Sequence, residues 1–598
     1  MSSNHLAPIV SYFDGHALAN SRLERFQFST SEQCQRSFSM WLDGHPRLLR
    51  SQLPHSTHAE IPGSTDPRVS VLTAWQYLGS NFADALDGPY AVILWDANKK
   101  RLLAARDSLG QRPLRWAEGE RQTVHIAQRD QELLSQPGVS GELDESHVVD
   151  YLLRRFNHPT RTFYQGVHQV PAGHTLVFRK RGMNVIAHSE AKVVLPWEET
   201  GRLLEPSSWA EELWEKLGDA VEEEVTSCSG RVGILLSGGL DSSLVSAVLA
   251  DRQRFHHNED IYAVSATWNS VPRSNEHSYS HAVASHLGLL HDCVVLDAVS
   301  PLSQIESVLD EQQEPFFNPQ MYLHRTLYRH AQRQGVAKLL TGEGGDTILG
   351  DGLQTLHFLA KRWQILAAWQ YARIVGEHYS SDTWRVFRAH FISEIIPSWL
   401  KRLQRPLRPL PVPAMGILHH HVGRKAMHRH KKSLDHLGHR SFESHLKPWR
   451  NLTDPLQAWI GEVDYRTAQA QKIEIGHPLF DARVIALCLA LPPRLHLRDG
   501  KPRWIARAAA RERLPPIIHQ RVGKSDLWPA FAHGLLTLDS SRIQHELLVD
   551  TTALAPWVHH ERLRQVVEHF LSTGDQHSGL LTWQALTLSL WLRQRGHI

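Results

Sequence analysis

Short apolar runs alternate with helix-like segments along the second half of the chain. Three runs have the length and composition of buried strands: Val232–Leu236, Ile261–Thr267 and Ala337–Leu340. Helical spacing of apolar residues follows the first two runs, at Ser242–Arg252 and Ser278–Leu287. Strands that alternate with helices are typical of a doubly wound parallel sheet, so this pattern predicts an α/β domain.

The first half of the chain has a different pattern. The β-prone runs Tyr90–Trp95 and Leu102–Ala105 flank a turn-like segment, which predicts an antiparallel hairpin. Further on, the polar stretch Pro196–Ser208 precedes a segment of helical spacing. A chain of 598 residues is too long for one hydrophobic core. We therefore predict two domains, 1–205 and 206–598.

The second domain is interrupted from about residue 353 to 452 by Trp- and Leu-rich helical pieces and a basic, His-rich stretch, which we interpret as an insertion. Between Lys401 and Arg450 the basic residues far outnumber Asp435 and Glu443. Such a run is either a solvated face or a docking surface for an acidic segment of a peptide or protein. The histidines of this stretch match no spacing typical of zinc ligands: His419, His420, His421, His428 and His430.

Composition narrows the class of protein. With 65 basic and 62 acidic residues the net charge is +3, which gives no sign of a nucleic-acid partner. The amino terminus lacks the pattern of a signal peptide, and no apolar run is long enough to cross a bilayer. The cysteines lie far apart, as expected of reduced thiols in a soluble, cytoplasmic protein. They are Cys34, Cys228, Cys293 and Cys488.

The most specific motif is the segment Ser237–Ser243, which follows an apolar run and precedes a helix. Its glycines allow a tight turn, and the hydroxyl and N–H groups at the helix start form a cradle for an anion such as phosphate. The cradle residues are Ser237, Gly238, Gly239, Ser242 and Ser243. Asp241 can hold a magnesium ion against the phosphates. The alternative is a Gly-rich turn that binds no ligand.

A second Gly-rich loop, Thr341–Asp346, also follows an apolar run. The carboxyl ends of parallel strands open onto one crevice, so Asp346 and Asp241 could share a magnesium ion there. Without the first motif, this loop could equally be a surface turn.

The first motif resembles the pyrophosphatase loop of the ATP-pyrophosphatase superfamily, whose members cleave ATP to AMP and pyrophosphate. Together the two loops resemble the synthetase domain of the asparagine synthetase family, and other segments match it as well. These segments are Ser274–Glu276, Tyr279, Ala284–Gly288, His477–Asp481, Leu491–Arg494, Leu497–Gly500 and Arg521–Lys524.

The resemblance implies that ATP and magnesium bind in the crevice, with adenine against backbone near Leu236, Val264 and Gly342. It also implies that Lys524 stabilises charge developing on the phosphates or the tetrahedral intermediate. Glu343 is the candidate general base for the attacking amine, because asparagine synthetases carry Glu at this position; a loop-stabilising role is the alternative.

In the first domain, Leu86–Asp96 and Ala105–Leu114 resemble the core hairpin of the family's glutaminase domain, which implies an α+β sandwich of the Ntn type. Glutaminase chemistry needs an amino-terminal cysteine, and this chain has Ser2 with further residues before the first strand. We expect a degenerate domain, so that ammonia from glutamine is not the nucleophile.

An inactive glutaminase domain distinguishes some members of the family from others. In overall length, in its insertion and in Lys524–Leu527, the chain is most similar to the lasso-peptide cyclases, which close a macrolactam ring. That resemblance implies a ribosomal precursor peptide as substrate, with a leader peptidase and a leader-recognition protein as partners. The alternatives are an asparagine synthetase that uses free ammonia, a β-lactam-synthetase-like enzyme, and an inert scaffold with the same fold.

Overall fold

The computed structural model describes most of the chain. The described residues are 10–13, 16–19, 24–29, 35–49, 52–53, 66–155, 158–180, 182–188, 205–253, 261–350, 353–378, 382–396, 416–437, 447–492, 495–498, 501–521 and 525–596.

The amino-terminal domain consists mainly of strands. They are β1 (Val10–Phe13), β2 (His16–Ala19), β3 (Glu24–Ser29), β4 (Gln35–Gly44), β5 (Arg47–Leu48), β6 (Leu86–Asp87), β7 (Tyr90–Asp96), β8 (Arg101–Arg106), β9 (Arg115–Glu118), β10 (Val124–Ala127), β11 (Val167–Gln169), β12 (His174–Arg179) and β13 (Gly182–Ala187). The helices are α1 (Pro67–Leu78), α2 (Asp130–Leu134) and α3 (Glu145–Leu152).

Two antiparallel sheets, ordered β11-β9-β10-β1-β2 and β13-β12-β8-β7-β4-β3, stack on each other. Along β7, Ala91 and Ile93 lie in the apolar core between the sheets, whereas Val92 and Leu94 pack in the core that contains α1. This alternation follows from the two-residue period of a strand. The predicted hairpin (β7 with β8) and the predicted α+β sandwich are confirmed.

The second domain alternates strands and helices. Its strands are β14 (Arg231–Leu235), β15 (Tyr262–Thr267), β16 (Leu290–Val295), β17 (Val336–Leu340), β18 (Glu474–Gly476), β19 (Leu497–Arg498) and β20 (Lys501–Pro502). Its helices up to the insertion are α4 (Pro206–Thr226), α5 (Leu240–Gln253), α6 (His277–Leu287), α7 (Ile305–Gln312), α8 (Met321–Arg333) and α9 (Gly345–Ile348). Helix α4 begins next to the predicted domain boundary.

The predicted insertion contains α10 (Leu353–Lys361), α11 (Ile365–His378), α12 (Thr383–Phe387), α13 (Ser393–Ile395), α14 (His420–Leu437) and α15 (Lys447–Leu452). After it come α16 (Pro455–Ala470), α17 (Ala482–Leu489), α18 (Trp504–Ala509), α19 (Pro516–His519), α20 (Trp528–Leu538), α21 (Ser540–Gln544), α22 (His560–Thr573) and α23 (Gln576–Gln594). Short 3-10 or π-helical turns cover Gly79–Ala85, Glu120–Gln122, Pro272–Ser274, Arg388–Ile392, Pro478–Phe480, His545–Val549 and Thr552–Leu554.

The second domain is built on a parallel sheet in the order β16-β15-β14-β17-β18. Tyr262 and Val264 pack with α8 on one face, and Ala263 packs with α4 and α5 on the other. The prediction of a doubly wound α/β domain is confirmed. The chain builds outward from β14 through β15 to β16 and then returns to β17 on the other side, so a topological switch point lies between β14 and β17.

Two strands of this sheet were not predicted from the sequence. β16 is an edge strand with polar residues such as His291 and Asp292, and its residues are half-buried or exposed. β18 has only three residues. Neither shows the apolar run by which the buried strands were predicted.

The carboxyl-terminal helix joins the two domains. Apolar residues of α3 and α23 share one core, and the Tyr151 hydroxyl lies 2.8 Å from the Thr587 hydroxyl. The Gln584 amide donates to the Tyr151 carbonyl at 2.9 Å. The first domain therefore covers apolar surface of the second. In the described part of the chain, no helix is both long and apolar enough to cross a membrane.

Candidate active site

Both Gly-rich loops lie at the switch point. One follows β14 and leads into α5, and the other follows β17 and leads into α9. The loops touch, because a Cβ added to Gly342 would lie 2.4 Å from the Ser242 nitrogen. The local motifs therefore combine into one site because parallel strands place their carboxyl ends at the same edge.

The first loop is organised by its own hydroxyl groups. The Ser237 hydroxyl lies 3.0 Å from the Ser242 hydroxyl and accepts from the Gly239 N–H at 3.2 Å. Gly238 has φ of +75°, and an added Cβ would lie 2.6 Å from the Tyr279 Cβ. A side chain at Gly238 would thus be excluded both by conformation and by space. The result is a turn at the amino terminus of a 14-residue helix, which suits an anion.

The second loop is supported from behind by the segment His477–Asp481. The His477 Nδ1 lies 2.7 Å from the Thr341 hydroxyl, which also accepts from the Glu343 N–H at 3.2 Å. Gly344 has φ of +88°, and a Cβ there would lie 2.3 Å from the Phe480 ring. The predicted Thr341 therefore shapes the loop through its hydroxyl group.

A cavity of about 580 Å³ opens at these loops. The predicted residues that line it are Ser237, Gly239, Asp241, Ser242, Thr341, Gly342, Glu343 and Asp346. Four predicted residues sit behind this lining. Gly238 forms the turn, the Ser243 side chain is fully buried, and the Leu236 N–H donates to the Val264 carbonyl at 3.0 Å. Lys524 lies outside the described residues. The roles predicted for all of these site residues remain predictions.

Asp241 and Asp346 converge on a single cation, the guanidinium of Arg503. Its Nη1 donates to Asp241 Oδ2 at 2.8 Å, and its Nη2 contacts Asp346 Oδ1. The second loop closes tightly on Asp241, since a Cβ added to Gly345 would lie 2.4 Å from the Asp241 Cγ. Two carboxylates within reach of one cation fit magnesium, whose other ligands would be phosphate oxygens and water.

Three further polar side chains, Asp464, His324 and Tyr328, form part of the cavity wall. The Asp464 carboxylate lies 3.1 Å from His324 Nδ1 and accepts from the Tyr328 hydroxyl at 2.7 Å. Burial lowers the pKa of His324, but the hydrogen bond and charge of Asp464, with the charge of Glu343, raise it above its usual range overall. Glu343 is exposed at the mouth of the cavity. His324 is thus a second titratable side chain in the cavity beside Glu343.

Two more arginines line the cavity. The Arg521 guanidinium donates to the Gly238 carbonyl at 3.1 Å, contacts the Glu276 carboxylate, and lies 3.9 Å from the Tyr279 ring centroid. Arg507 donates to the Pro502 carbonyl at 2.9 Å. The segments that carried the sequence resemblance therefore fix the first loop in place.

Four charged or titratable side chains of the cavity were not predicted from the sequence: Arg503, Arg507, His324 and Asp464. Arg503 lies three residues after the segment Leu497–Gly500, which was itself recognised, so its position was a usable signal. His324 and Asp464 lie 140 residues apart and carry no local motif. Only the packing of α8 against α16 brings them together.

A buried ion cluster links this wall to the first domain. The Glu462 carboxylate of α16 lies 2.7 Å from Arg106 Nη2 and 2.5 Å from Arg115 Nη2, and these three side chains are almost fully buried. Arg466 Nη2, one turn further along α16, lies 3.4 Å away. Asp464 is on the same helix. The first domain therefore holds the helix that carries part of the cavity wall.

The histidines of the insertion lie partly on α14, whose described side chains include His420, His421 and His428. Within the described ranges, no group of three His, Cys, Asp or Glu side chains is arranged to bind a metal. Much of the basic stretch, at 401–415 and 438–446, lies outside the described residues.

Both halves of the chain match models of known protein families. The glutamine amidotransferase domain matches residues 47–189, and asparagine synthase matches residues 212–593. Two solved structures match part of the chain. The allosteric regulatory enzyme of purine biosynthesis is 12% identical and covers 48% of this chain and 74% of its own. The glutamine phosphoribosylpyrophosphate amidotransferase from B. subtilis is 11% identical and covers 56% of this chain and 75% of its own. Their TM-scores of 0.21 are too low to establish a common overall fold.

Curated relatives agree with the family assignment. Asparagine synthetase [glutamine-hydrolyzing] 2 of Bacillus subtilis is 25% identical over 51% of this chain and 42% of its own length. Amidase chyE of Penicillium rubens is 26% identical (50% and 44%), and asparagine synthetase B of Escherichia coli is 26% identical (47% and 46%). The alignments thus span less than half of these relatives. Since the asparagine synthase model matches well over half of the chain, this protein belongs to the asparagine synthase family.

Proposed function

We propose that this chain is an ATP-dependent amide ligase that adenylates a carboxylate side chain and closes a macrolactam ring in a ribosomal peptide, as a lasso-peptide cyclase does. The observation that carries the adenylation chemistry is the convergence of Asp241 and Asp346 beside the first Gly-rich loop in one cavity. Membership of the asparagine synthase family supports the same chemistry.

In this proposal the first loop and the start of α5 bind the triphosphate of ATP. Magnesium held by Asp241 and Asp346 supplies charge neutralisation there. A substrate carboxylate oxygen attacks the α-phosphorus, pyrophosphate leaves, and an acyl-adenylate forms. An amine then attacks the acyl carbon, and AMP leaves with the carboxylate oxygen.

The attacking amine must lose a proton, and the cavity offers two acceptors. Glu343 stands at the mouth, and His324 is oriented by Asp464 deeper in the wall. Glu343 is proposed as the base because of the family resemblance, whereas His324 is proposed because of its position in the cavity. Glu343→Gln and His324→Gln should separate the two, since loss of the base lowers the amide-forming step while pyrophosphate release continues.

The peptide substrate is favoured by the state of the first domain. Its fold is retained, and in this proposal the domain is a degenerate glutaminase that supplies no ammonia. If glutamine does not supply ammonia, an amine tethered to the activated carboxylate has the highest effective concentration. The free amino terminus of a peptide meets this need once a leader peptidase has released it. A leader-recognition protein would deliver the precursor.

A second candidate is asparagine synthesis from free ammonia. It is favoured by the relatives in Bacillus subtilis and Escherichia coli, which are asparagine synthetases. A β-lactam-forming reaction would use the same adenylate. An inert scaffold is the least favoured alternative, because it would have no physical need for two converging carboxylates beside a phosphate-type loop.

Pyrophosphate release should be measured with two substrate sets. One contains precursor peptide and leader peptidase, and the other contains aspartate and ammonium. The proposal predicts release with the peptide and a product lighter by one water. Release only with aspartate and ammonium would overturn the cyclase assignment and favour the second candidate. Asp241→Ala and Asp346→Ala should each abolish release with either set, because an unshielded triphosphate repels the attacking carboxylate.

A further inference from the structure

Arg503 occupies the place between the two acidic side chains where a metal ion is expected. Its guanidinium contacts Asp241 and Asp346 with different nitrogen atoms, and its side chain is only 24% exposed. The two aspartates come from loops more than 100 residues apart in sequence. The Arg503 side chain therefore contacts both loops and ties them together.

The backbone around Arg503 fixes this position. The residue links β20 to α18 and has φ of +54°, in the left-handed region that non-glycine residues rarely adopt. Arg507 anchors the following turn, since its side chain donates to the Pro502 carbonyl at 2.9 Å and the His519 carbonyl at 2.7 Å. Ile505 and Ala506 of α18 are buried in the core against α4. The backbone is therefore anchored, and a long flexible side chain projects from it.

A guanidinium and a magnesium ion cannot use the same carboxylate oxygens together. Both are cations that need the lone pairs of Asp241 and Asp346, and their mutual repulsion is strong at such short range in a partly buried site. The guanidinium fork also matches the geometry of phosphate oxygens. The cavity beside Arg503 is the one that the first Gly-rich loop, Ser237–Ser243, lines.

We propose that Arg503 is a resident counterion of the acidic pair, that magnesium displaces it, and that the displaced guanidinium then binds the phosphates of the nucleotide. This inference rests on the proposed function for the identity of the nucleotide only. Displacement of Arg503 makes the binding of metal and the binding of nucleotide cooperative. Magnesium alone must displace Arg503 into solvent, whereas magnesium with a triphosphate gives the displaced side chain a new partner.

The test is metal binding without nucleotide, measured as bound Mn²⁺ by electron paramagnetic resonance in the full-length protein. Arg503→Gln removes the charge and keeps most of the length. It should bind Mn²⁺ roughly 10-fold more tightly than the wild type, within the usual range of coupling between sites. In the variant, ATP should strengthen Mn²⁺ binding less than it does in the wild type.

Arg498→Gln is the matched control. This residue lies on the same hairpin, with its guanidinium 5.0 Å from the Trp504 ring centroid, and its loss should leave Mn²⁺ affinity at the wild-type value. Arg503→Lys keeps the charge but loses the fork, so it should remain close to the wild type without ATP and lose part of the ATP effect. If Arg503→Gln does not fold, Arg503→Lys tests the inference in its place through the size of the ATP effect.

Equal or weaker Mn²⁺ binding by folded Arg503→Gln would overturn the inference and make Arg503 a structural tie between the loops. That result would leave the proposed ligase standing. If Arg503→Gln binds Mn²⁺ more tightly but the wild-type protein releases no pyrophosphate with any carboxylate, the inference is supported and the proposed function fails.

Discussion

The buried contact between the domains gives a quantitative prediction for Glu462→Gln. Burial raises the pKa of Glu462, but the guanidinium groups of Arg115, Arg106 and Arg466 lower it to about 2 overall, from an ordinary value of 4.5. That difference corresponds to roughly 3 kcal/mol of stabilisation of the folded protein at neutral pH. Breaking a buried ion pair by removing one partner typically costs about 3–5 kcal/mol, which agrees.

The sign with pH follows from the lowered pKa. Glu462 is charged in both the folded and the unfolded chain above about pH 4.5, so its stabilisation is fully present there and is lost as pH falls towards 2. The difference between wild type and Glu462→Gln should therefore be constant from pH 8 to about pH 5. In Glu462→Gln the buried arginines lose their carboxylate partner, so the domain interface should unfold before the rest of the protein.

Calorimetry and limited proteolysis test this prediction. Glu462→Gln should lower the temperature of the first unfolding transition and expose the interface to protease. The matched control is Glu568→Gln, whose carboxylate lies 3.8 Å from Arg564 on an exposed helix face, where such a pair contributes below roughly 0.5 kcal/mol. A shift for Glu462→Gln no larger than that of the control would refute the reasoning.

Three further predictions concern the domains and the loops. Deleting residues 1–200 should give insoluble protein, because the apolar surface of the carboxyl-terminal helix loses its cover; soluble, folded protein by sedimentation and circular dichroism would contradict this. Lys524→Ala should lower turnover by roughly 100-fold and leave nucleotide binding nearly intact, if this cation acts on developing charge; equilibrium ATP binding beside kcat checks it. Gly344→Ala should sharply reduce pyrophosphate release, since φ is +88° and the methyl group would meet Phe480, whereas Gly416→Ala adds a methyl group in open space and should have no effect.

How much the sequence predicted depends on how local each feature is. The hairpin of β7 and β8, the strand β14 and the two Gly-rich loops carry their signal within a few residues, and the structure has them as predicted. The pairing of Asp241 with Asp346 followed from the rule that parallel strands share one edge.

Side-chain contacts between distant segments were not predicted where at least one of the segments carries no recognised motif. Arg503 reaches Asp241 across 262 residues, so its contact with Asp241 cannot be read from its own segment. Lys338 shows the same limit. It sits in an apolar strand, yet its fully buried ammonium group lies 2.9 Å from Glu224 and 3.1 Å from Glu474, two carboxylates from other elements. Charged partners supplied by tertiary packing leave no periodic pattern in the sequence.

The central claim is that this cavity transfers a carboxylate oxygen to the α-phosphorus of ATP. The most direct measurement uses a peptide substrate whose acceptor carboxylate carries ¹⁸O, with mass spectrometry of the nucleotide product. If the carboxylate is adenylated and an amine then displaces AMP, one ¹⁸O atom must appear in AMP for each ring closed. Release of ADP with the label in inorganic phosphate, or unlabelled AMP alongside a cyclised peptide, would contradict the account.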